Sequence, residues 1–110
     1  MAGYYVLSKG KTGKYSFNLK SGNHQTVLTS QAYESREAAM GGIASVRANA
    51  ADDARYERKT SKDGQCFFVL KAANAQVIGK SELYPVAATM EKGIASVKAN
   101  GASDTVKEPA

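Results

Sequence analysis

Two short polar pairs are the residues best suited to hold a ligand. Ser30 with Tyr33 and Ser81 with Tyr84 share the spacing Ser-x-x-Tyr, and each pair lies just ahead of a segment with helical periodicity. Free backbone N–H groups at a helix N-terminus favour anions, so these hydroxyls would stand where a carboxylate or phosphate is held. The competing reading is structural: the serine closes a turn on the backbone, and the tyrosine packs over the sheet edge with its hydroxyl in water. A second set is basic. Lys9, Lys11, Lys14 and Lys20, interleaved with Tyr4, Tyr5 and Tyr15, bring together the cationic and stacking groups that retain nucleic acid.

Other chemistries lack their parts. One histidine, His24, and one cysteine, Cys66, stand in different halves of the chain, so no metal site is expected, and no cofactor. His24 falls in a turn and reads as a solvated loop residue. Cys66 reads as a small apolar group facing the core. Asp52 and Asp53 read as solvated turn formers. Gly10-Lys11-Thr12 has the ending of a phosphate-binding loop, but position 5 holds Tyr5 where that loop needs glycine, and a strand follows where a helix should. With no nucleophile, acid–base pair or metal cluster assembled, the chain reads as a non-catalytic binding or protein-interaction module. Its partner would be a small anion or a protein, and nucleic acid is the alternative.

The net charge is +5 and the pI about 9.4. The excess is uneven: six Lys or Arg face two acids before Asp52, and nine face eight from there on. A charge of this size permits anionic partners but also suffices to keep a small domain soluble, which is the preferred reading. No apolar run approaches the roughly 20 residues of a membrane span. The first residues lack the pattern of a secretory signal, and a lone cysteine suits a reducing compartment, so a cytoplasmic location is expected.

The elements that must position these residues are written twice. Gly42-Ile43-Ala44-Ser45-Val46-Arg47-Ala48-Asn49 returns 51 positions later as Gly93-Ile94-Ala95-Ser96-Val97-Lys98-Ala99-Asn100. At the same offset Tyr5 meets Tyr56, Phe17 meets Phe68, Leu19-Lys20 meets Leu70-Lys71, Asn23 meets Asn74 and Gln25 meets Gln76. No gap is needed. The chain is therefore one domain of two repeats, about 3–51 and 54–108, in which neither copy is expected to close a core alone.

Within a copy, Tyr4 to Ser8 is rich in β-formers, Tyr15 to Lys20 alternates with period two, and Gln25 to Ser30 forms a third short strand. Gly22 or Asn23 is expected to take positive φ in the turn between the last two. Ser35 to Asn49 then follows as a helix with Ala39, Gly42, Ile43 and Val46 on one face, capped by Ser35 and stopped at Asn49, while Asn100-Gly101 stops its counterpart. In the second copy Pro85 sets the helix start at or just after itself. Gly42 and Gly93 in helix interiors imply close approach of the sheet or the other helix. The Asp52 to Thr60 segment is expected to serve as last strand of one copy and first of the next, and Thr105-Val106 as a final short strand. Phe67 and Val69 replace Ser16 and Asn18 on the polar side of the central strand, and they are expected to be covered by the other half or the tail.

Phe17-x-Leu19-Lys20-x-x-Asn23, Ser30-x-x-Tyr33 and Gly42 to Val46, with Phe68-x-Leu70-Lys71-x-x-Asn74, Ser81-x-x-Tyr84 and Gly93 to Gly101, give the chain a resemblance to the YegP-like family of small bacterial proteins. The resemblance implies an α+β fold of two tandem β-β-β-α(-β) repeats. These would share one antiparallel sheet, exchange their C-terminal strands and pack their helices on the sheet, as a monomer with internal pseudo-two-fold symmetry. It carries no activity, cofactor or site residue.

Overall fold

Alternation of apolar and polar residues sets the strands, and the computed structural model, which describes residues 3–108, places them in the order the repeat dictates. The first copy gives β1 (Tyr4–Lys9), β2 (Tyr15–Lys20), β3 (Thr26–Ser30) and α1 (Arg36–Asn49). A 3-10 turn at Asp53–Arg55 leads into β4 (Tyr56–Thr60), β5 (Cys66–Lys71), β6 (Val77–Lys80), α2 (Ala87–Asn100) and β7 (Val106–Lys107). The sheet runs β4-β5-β6-β3-β2-β1-β7. All its pairings are antiparallel except β1 with β7, which is parallel, so the expected all-antiparallel sheet is mixed at one edge.

Both helices lie on one face. Ala39, Gly42, Ile43 and Val46 of α1, with Met90, Gly93, Ile94 and Val97 of α2, are buried as their spacing requires. They pack on Tyr5, Leu7, Phe17, Leu19, Leu28, Tyr56, Phe68, Leu70 and Ile78 in a single core cluster. α1 touches β2 of its own repeat and also β5 and β6 of the other, and α2 touches β5 and reaches back to β2 and β3. Each helix thus covers strands from both copies. Ser35 caps α1, its side chain accepting from Ala38 N–H at 3.1 Å, as the sequence indicates. α2 begins after Val86 with no side-chain cap, and Thr89 Oγ1 instead donates to Val86 O at 2.8 Å.

The two copies meet along β3 and β6, where only Thr29↔Lys80 and Ser30↔Gly79 pair. Repeat-equivalent residues meet at this pseudo-two-fold axis: Thr29 pairs with Lys80, and in two further equivalent pairs, Leu28 with Gly79 and Ala50 with Gly101, one member is glycine. A Cβ on Gly79 would lie 2.7 Å from Leu28 Cγ, and one on Gly101 would lie 2.5 Å from Ala50 Cβ. Only one Cβ fits at each crossing. Gly101 is in the right-handed region at φ −63, so its role is this close approach rather than the helix-ending conformation expected for it.

Two further expectations are corrected. The positive φ in the β2–β3 turn falls on His24 (69°) and, in the second copy, on Ala75 (69°), not on Gly22 or Asn23. His24 itself is exposed in that turn, as expected, with its Nδ1 2.7 Å from the Tyr4 hydroxyl. Phe67 and Val69 stand on the face opposite the helices, and the tail, docked at the far edge, does not reach them. Lys80 lies over the Phe67 ring at 4.8 Å, while Val69 is flanked across the strands by Lys80 and Glu57 and is only 6% exposed. Long charged side chains from adjacent strands lay their methylenes over these apolar groups, a cover invisible in the sequence.

Candidate functional site

Ser30 and Ser81 turn out to be occupied by the fold itself. β3 and β6 leave the sheet at these residues, and the hydroxyl replaces a lost ladder carbonyl. Ser30 Oγ accepts from Phe17 N–H at 2.8 Å and donates to Gln31 O at 2.8 Å. Ser81 Oγ does the same with Phe68 N–H at 2.9 Å and Glu82 O at 2.8 Å. A hydroxyl with its donor and best acceptor direction committed to backbone is a structural brace rather than an anion ligand. The two serines approach one another across the seam, where they line a depression of about 450 Å³ with Thr29, Gln31, Val77, Gly79 and Lys80. The expected Ser–Tyr pairs are therefore not the units the structure assembles.

Tyr33 and Tyr84 go elsewhere. Backbone pairing with Tyr15 fixes Tyr33 through N–H···O bonds of 2.6 and 2.8 Å, and Cys66 holds Tyr84 through two bonds of 2.7 Å. Each ring stacks on a core phenylalanine, Tyr33 on Phe17 at 6.1 Å and Tyr84 on Phe68 at 6.5 Å. The ring tips rest on helix backbone. A Cβ at Gly42 would lie 2.7 Å from Tyr33 Cζ and 2.9 Å from Phe17 Cε2, and one at Gly93 would lie 2.7 Å from Tyr84 Cζ. The helix glycines thus admit the tyrosine rings and the sheet's phenylalanines, so of the two approaches expected, that of the sheet is the one seen.

This seating opens two equivalent clefts, each walled by both repeats. The first, about 190 Å³, has Tyr33, Gly42 and Ser45 on one side and Asn74, Gln76 and Ile78 on the other. The second, about 330 Å³, has Tyr84, Thr89, Lys92, Gly93 and Ser96 against Gln25 and Val27. Hydroxyls, carboxamides and one ammonium supply donors and acceptors, with aliphatic side chains beneath. Burial pushes both phenols above the ordinary tyrosine range, and Glu82 adds to the rise at Tyr84. Both hydroxyls are therefore neutral donors at physiological pH. The sequence reading missed Gln25 and Gln76, Ser45 and Ser96, and Lys92. The first two pairs carried a signal, since each is identical between the copies without serving the core.

The basic set does not form one surface. Tyr5 is fully buried, its hydroxyl donating to Gly101 O at 2.6 Å, and cannot stack on a base. Lys9, Lys11 and Lys14 gather at the β1–β2 hairpin, with Lys14 paired to Glu34 at 3.4 Å and Lys9 lying 5.9 Å from the Tyr15 ring. Lys20 is at the other end of β2, opposite Tyr4. Lys20 shares the helix-free face with Tyr4, and cations outside the expected set join it there. On the side away from the helices, Lys107 covers Tyr4 at 4.4 Å and Lys80 covers Phe67.

With this geometry in view, comparison with known proteins gives a consistent result. The family described as "Domain of unknown function (DUF1508)" matches twice, over residues 11–57 and 61–108. The UPF0339 protein YegP of Escherichia coli is 53% identical over 108 residues, covering 98% of both chains, and a UPF0339 protein of Acinetobacter baylyi is 50% identical, covering 98% of this chain and 97% of the other. The solution NMR structure of the E. coli protein of unknown function yegP superposes with a TM-score of 0.93, covering 98% of this chain and 93% of that one. The solution NMR structure of a UPF0339 protein from Shewanella oneidensis, 42% identical, gives 0.92, with 98% of this chain and 92% of that one covered.

Proposed function

The chain belongs to the DUF1508 family, as a tandem pair of its units, and from the clefts that pairing creates we propose that it is a non-catalytic binding module for a small anionic ligand. One observation carries the reading. The second cleft is built only when the repeats close on each other, and it gathers the Lys92 ammonium, the Tyr84, Thr89 and Ser96 hydroxyls and the Gln25 carboxamide around aliphatic Val27. These groups hold and orient a carboxylate or phosphate, and a neutral phenol neither attacks nor abstracts a proton at neutral pH.

Titrating isotope-labelled protein with inorganic phosphate and with citrate tests the assignment. Saturable amide shifts are expected at Gln25, Thr89, Lys92, Gly93 and Ser96, and Lys92→Ala should weaken binding about tenfold, the usual effect of deleting a charge-assisted bond. Shifts elsewhere, or an affinity indifferent to Lys92→Ala, would reject it. A second reading, nucleic-acid binding, is favoured by the helix-free sheet face, where Tyr4 and Phe67 lie among Lys20, Lys80 and Lys107. It takes over from the hairpin lysines first suggested by the sequence. Absence of retention on single-stranded DNA or RNA at low salt would dispose of it.

A further inference from the structure

The two edges of the sheet are repeat-equivalent and unequally occupied. β1 carries β7 on its outer side, with Tyr5↔Val106 and Val6↔Lys107 in parallel register and Tyr5 N–H donating to Thr105 O at 2.9 Å. β4, the counterpart of β1, pairs with β5 alone among the described residues. Chain length explains the difference. Neighbouring parallel strands need a crossover of about a dozen residues or more, and only residues 50–55 separate α1 from β4.

The exits of the two helices begin alike. Tyr56 donates its hydroxyl to Ala50 O, as Tyr5 does to Gly101 O, both at 2.6 Å. Asp52 N–H reaches Asn49 O, as Ser103 N–H reaches Asn100 O, both at 3.1 Å. There the first exit must turn into β4 through the 3-10 turn, while the second runs on as β7. Tyr56 N–H is satisfied by Asp53 O within that turn. The next groups of the same parity, the Tyr56 carbonyl and the Arg58 N–H and carbonyl, point outward, because residues of an antiparallel pair bond alternately inward and outward.

We propose that the outer edge of β4 is a docking site for an extended segment of a partner protein, added in parallel as the strand that the first repeat's exit cannot supply. The occupied edge states the chemistry of the ligand. There Val106 is half-buried beside Tyr5, Lys107 stands on the open face, and Glu108 pairs with Arg36 at 2.8 Å. Along β4 the corresponding neighbours are Tyr56 and Glu57, which suit a segment reading β-branched apolar then basic, while Arg58 beyond them is already paired with Asp53 and Glu91. A second copy is disfavoured at this edge. Antiparallel pairing of two β4 strands about Arg58 sets Arg58 opposite Arg58, although Glu57 then faces Lys59, and consecutive charged residues are how natural sheet edges resist self-association.

The test uses the full chain and a synthetic peptide of residues 102–108 as probe. Saturable amide shifts are expected along Tyr56–Thr60, with exchange of the Arg58 amide slowed by the peptide. Arg58→Ala and Arg58→Pro lose the same ion pairs with Glu91 and Asp53, but only the proline removes the outward N–H, at an edge position that tolerates it. The proline variant should bind about tenfold more weakly than the alanine variant. If Arg58→Pro proves unfolded, the exchange measurement on the unsubstituted chain decides. Shifts on β1 and β7, no shifts at millimolar peptide, equal affinities of two folded variants, or protein-concentration-dependent shifts at β4 without peptide would each overturn the proposal.

Discussion

Gly79→Leu should destabilise the protein by about 1–3 kcal/mol through overpacking, and Leu28→Ala should cost about 2–5 kcal/mol through the cavity it leaves, yet together they should cost less than their sum. Leu28 is fully buried at the seam, and its repeat-equivalent is Gly79, whose missing Cβ is the space the leucine fills. In the double variant a leucine from the other strand enters the same space from the opposite side of the axis. Contacting residues of this kind couple by about 0.5–3 kcal/mol. Urea unfolding of the four proteins measures the coupling directly. Strict additivity would show that the two positions do not share one volume, and the axis would have to be drawn elsewhere.

Above pH about 10, stability should fall steeply, and two residues should account for most of the slope. Tyr5 and Tyr56 are buried, at 0% and 7% exposure, and each donates its hydroxyl to the carbonyl just past a helix. Burial pushes both phenols far above the ordinary tyrosine range. Arg47 opposes this at Tyr5, and Asp53 adds to it at Tyr56. A raised folded pKa means that, once pH passes the unfolded value near 10, the unfolded chain releases protons that the folded chain retains. The contribution is therefore complete below that pH and lost as pH rises through the folded values. Two such groups give a limiting slope of about 2.7 kcal/mol per pH unit, and Tyr5→Phe or Tyr56→Phe should each remove about half of it. Urea midpoints measured between pH about 9 and 12 supply the slope. An unchanged slope in both phenylalanine variants would contradict the assignment.

At the acid end the sign is opposite and the groups are exposed. Lys98 and Arg58 hold the Asp53 carboxyl below its usual range, and Arg58 does the same for Glu91. Their contribution is present above the ordinary carboxylate pKa and fades as pH drops through the depressed values. Salt screens it, so it ranks well below the tyrosine effect.

Local periodicity revealed what local periodicity determines. The strands, the helix faces of Ala39 to Val46 and Met90 to Val97 and the Ser35 cap are written in windows of a few residues, and the duplication in a constant offset of 51. The seam is not. That Leu28 lies against Gly79, and Ala50 against Gly101, depends on where two strands and two helix ends 51 residues apart meet, although the offset makes those residues equivalents. The serines misled for a related reason. Their value lies in the point at which β3 and β6 leave the sheet, a tertiary fact that turns a hydroxyl into a substitute carbonyl. Tyr5 looked like a surface tyrosine because its partner, Gly101 O, is 96 residues away. The clefts escaped notice because each takes its walls from different repeats.

The fold rests on mutual completion. α1 covers β5 and β6 of the second copy, Tyr5 bonds to Gly101, and β1 is edged by β7. Deleting one copy strips the other of its cover, its buried hydrogen-bond partner and its edge strand together. Residues 1–51 produced alone and followed by circular dichroism through a urea titration, with sedimentation to fix the species, test this most directly. The predicted result is a monomer with no cooperative transition; a sharp, concentration-independent transition of a folded monomer would contradict it.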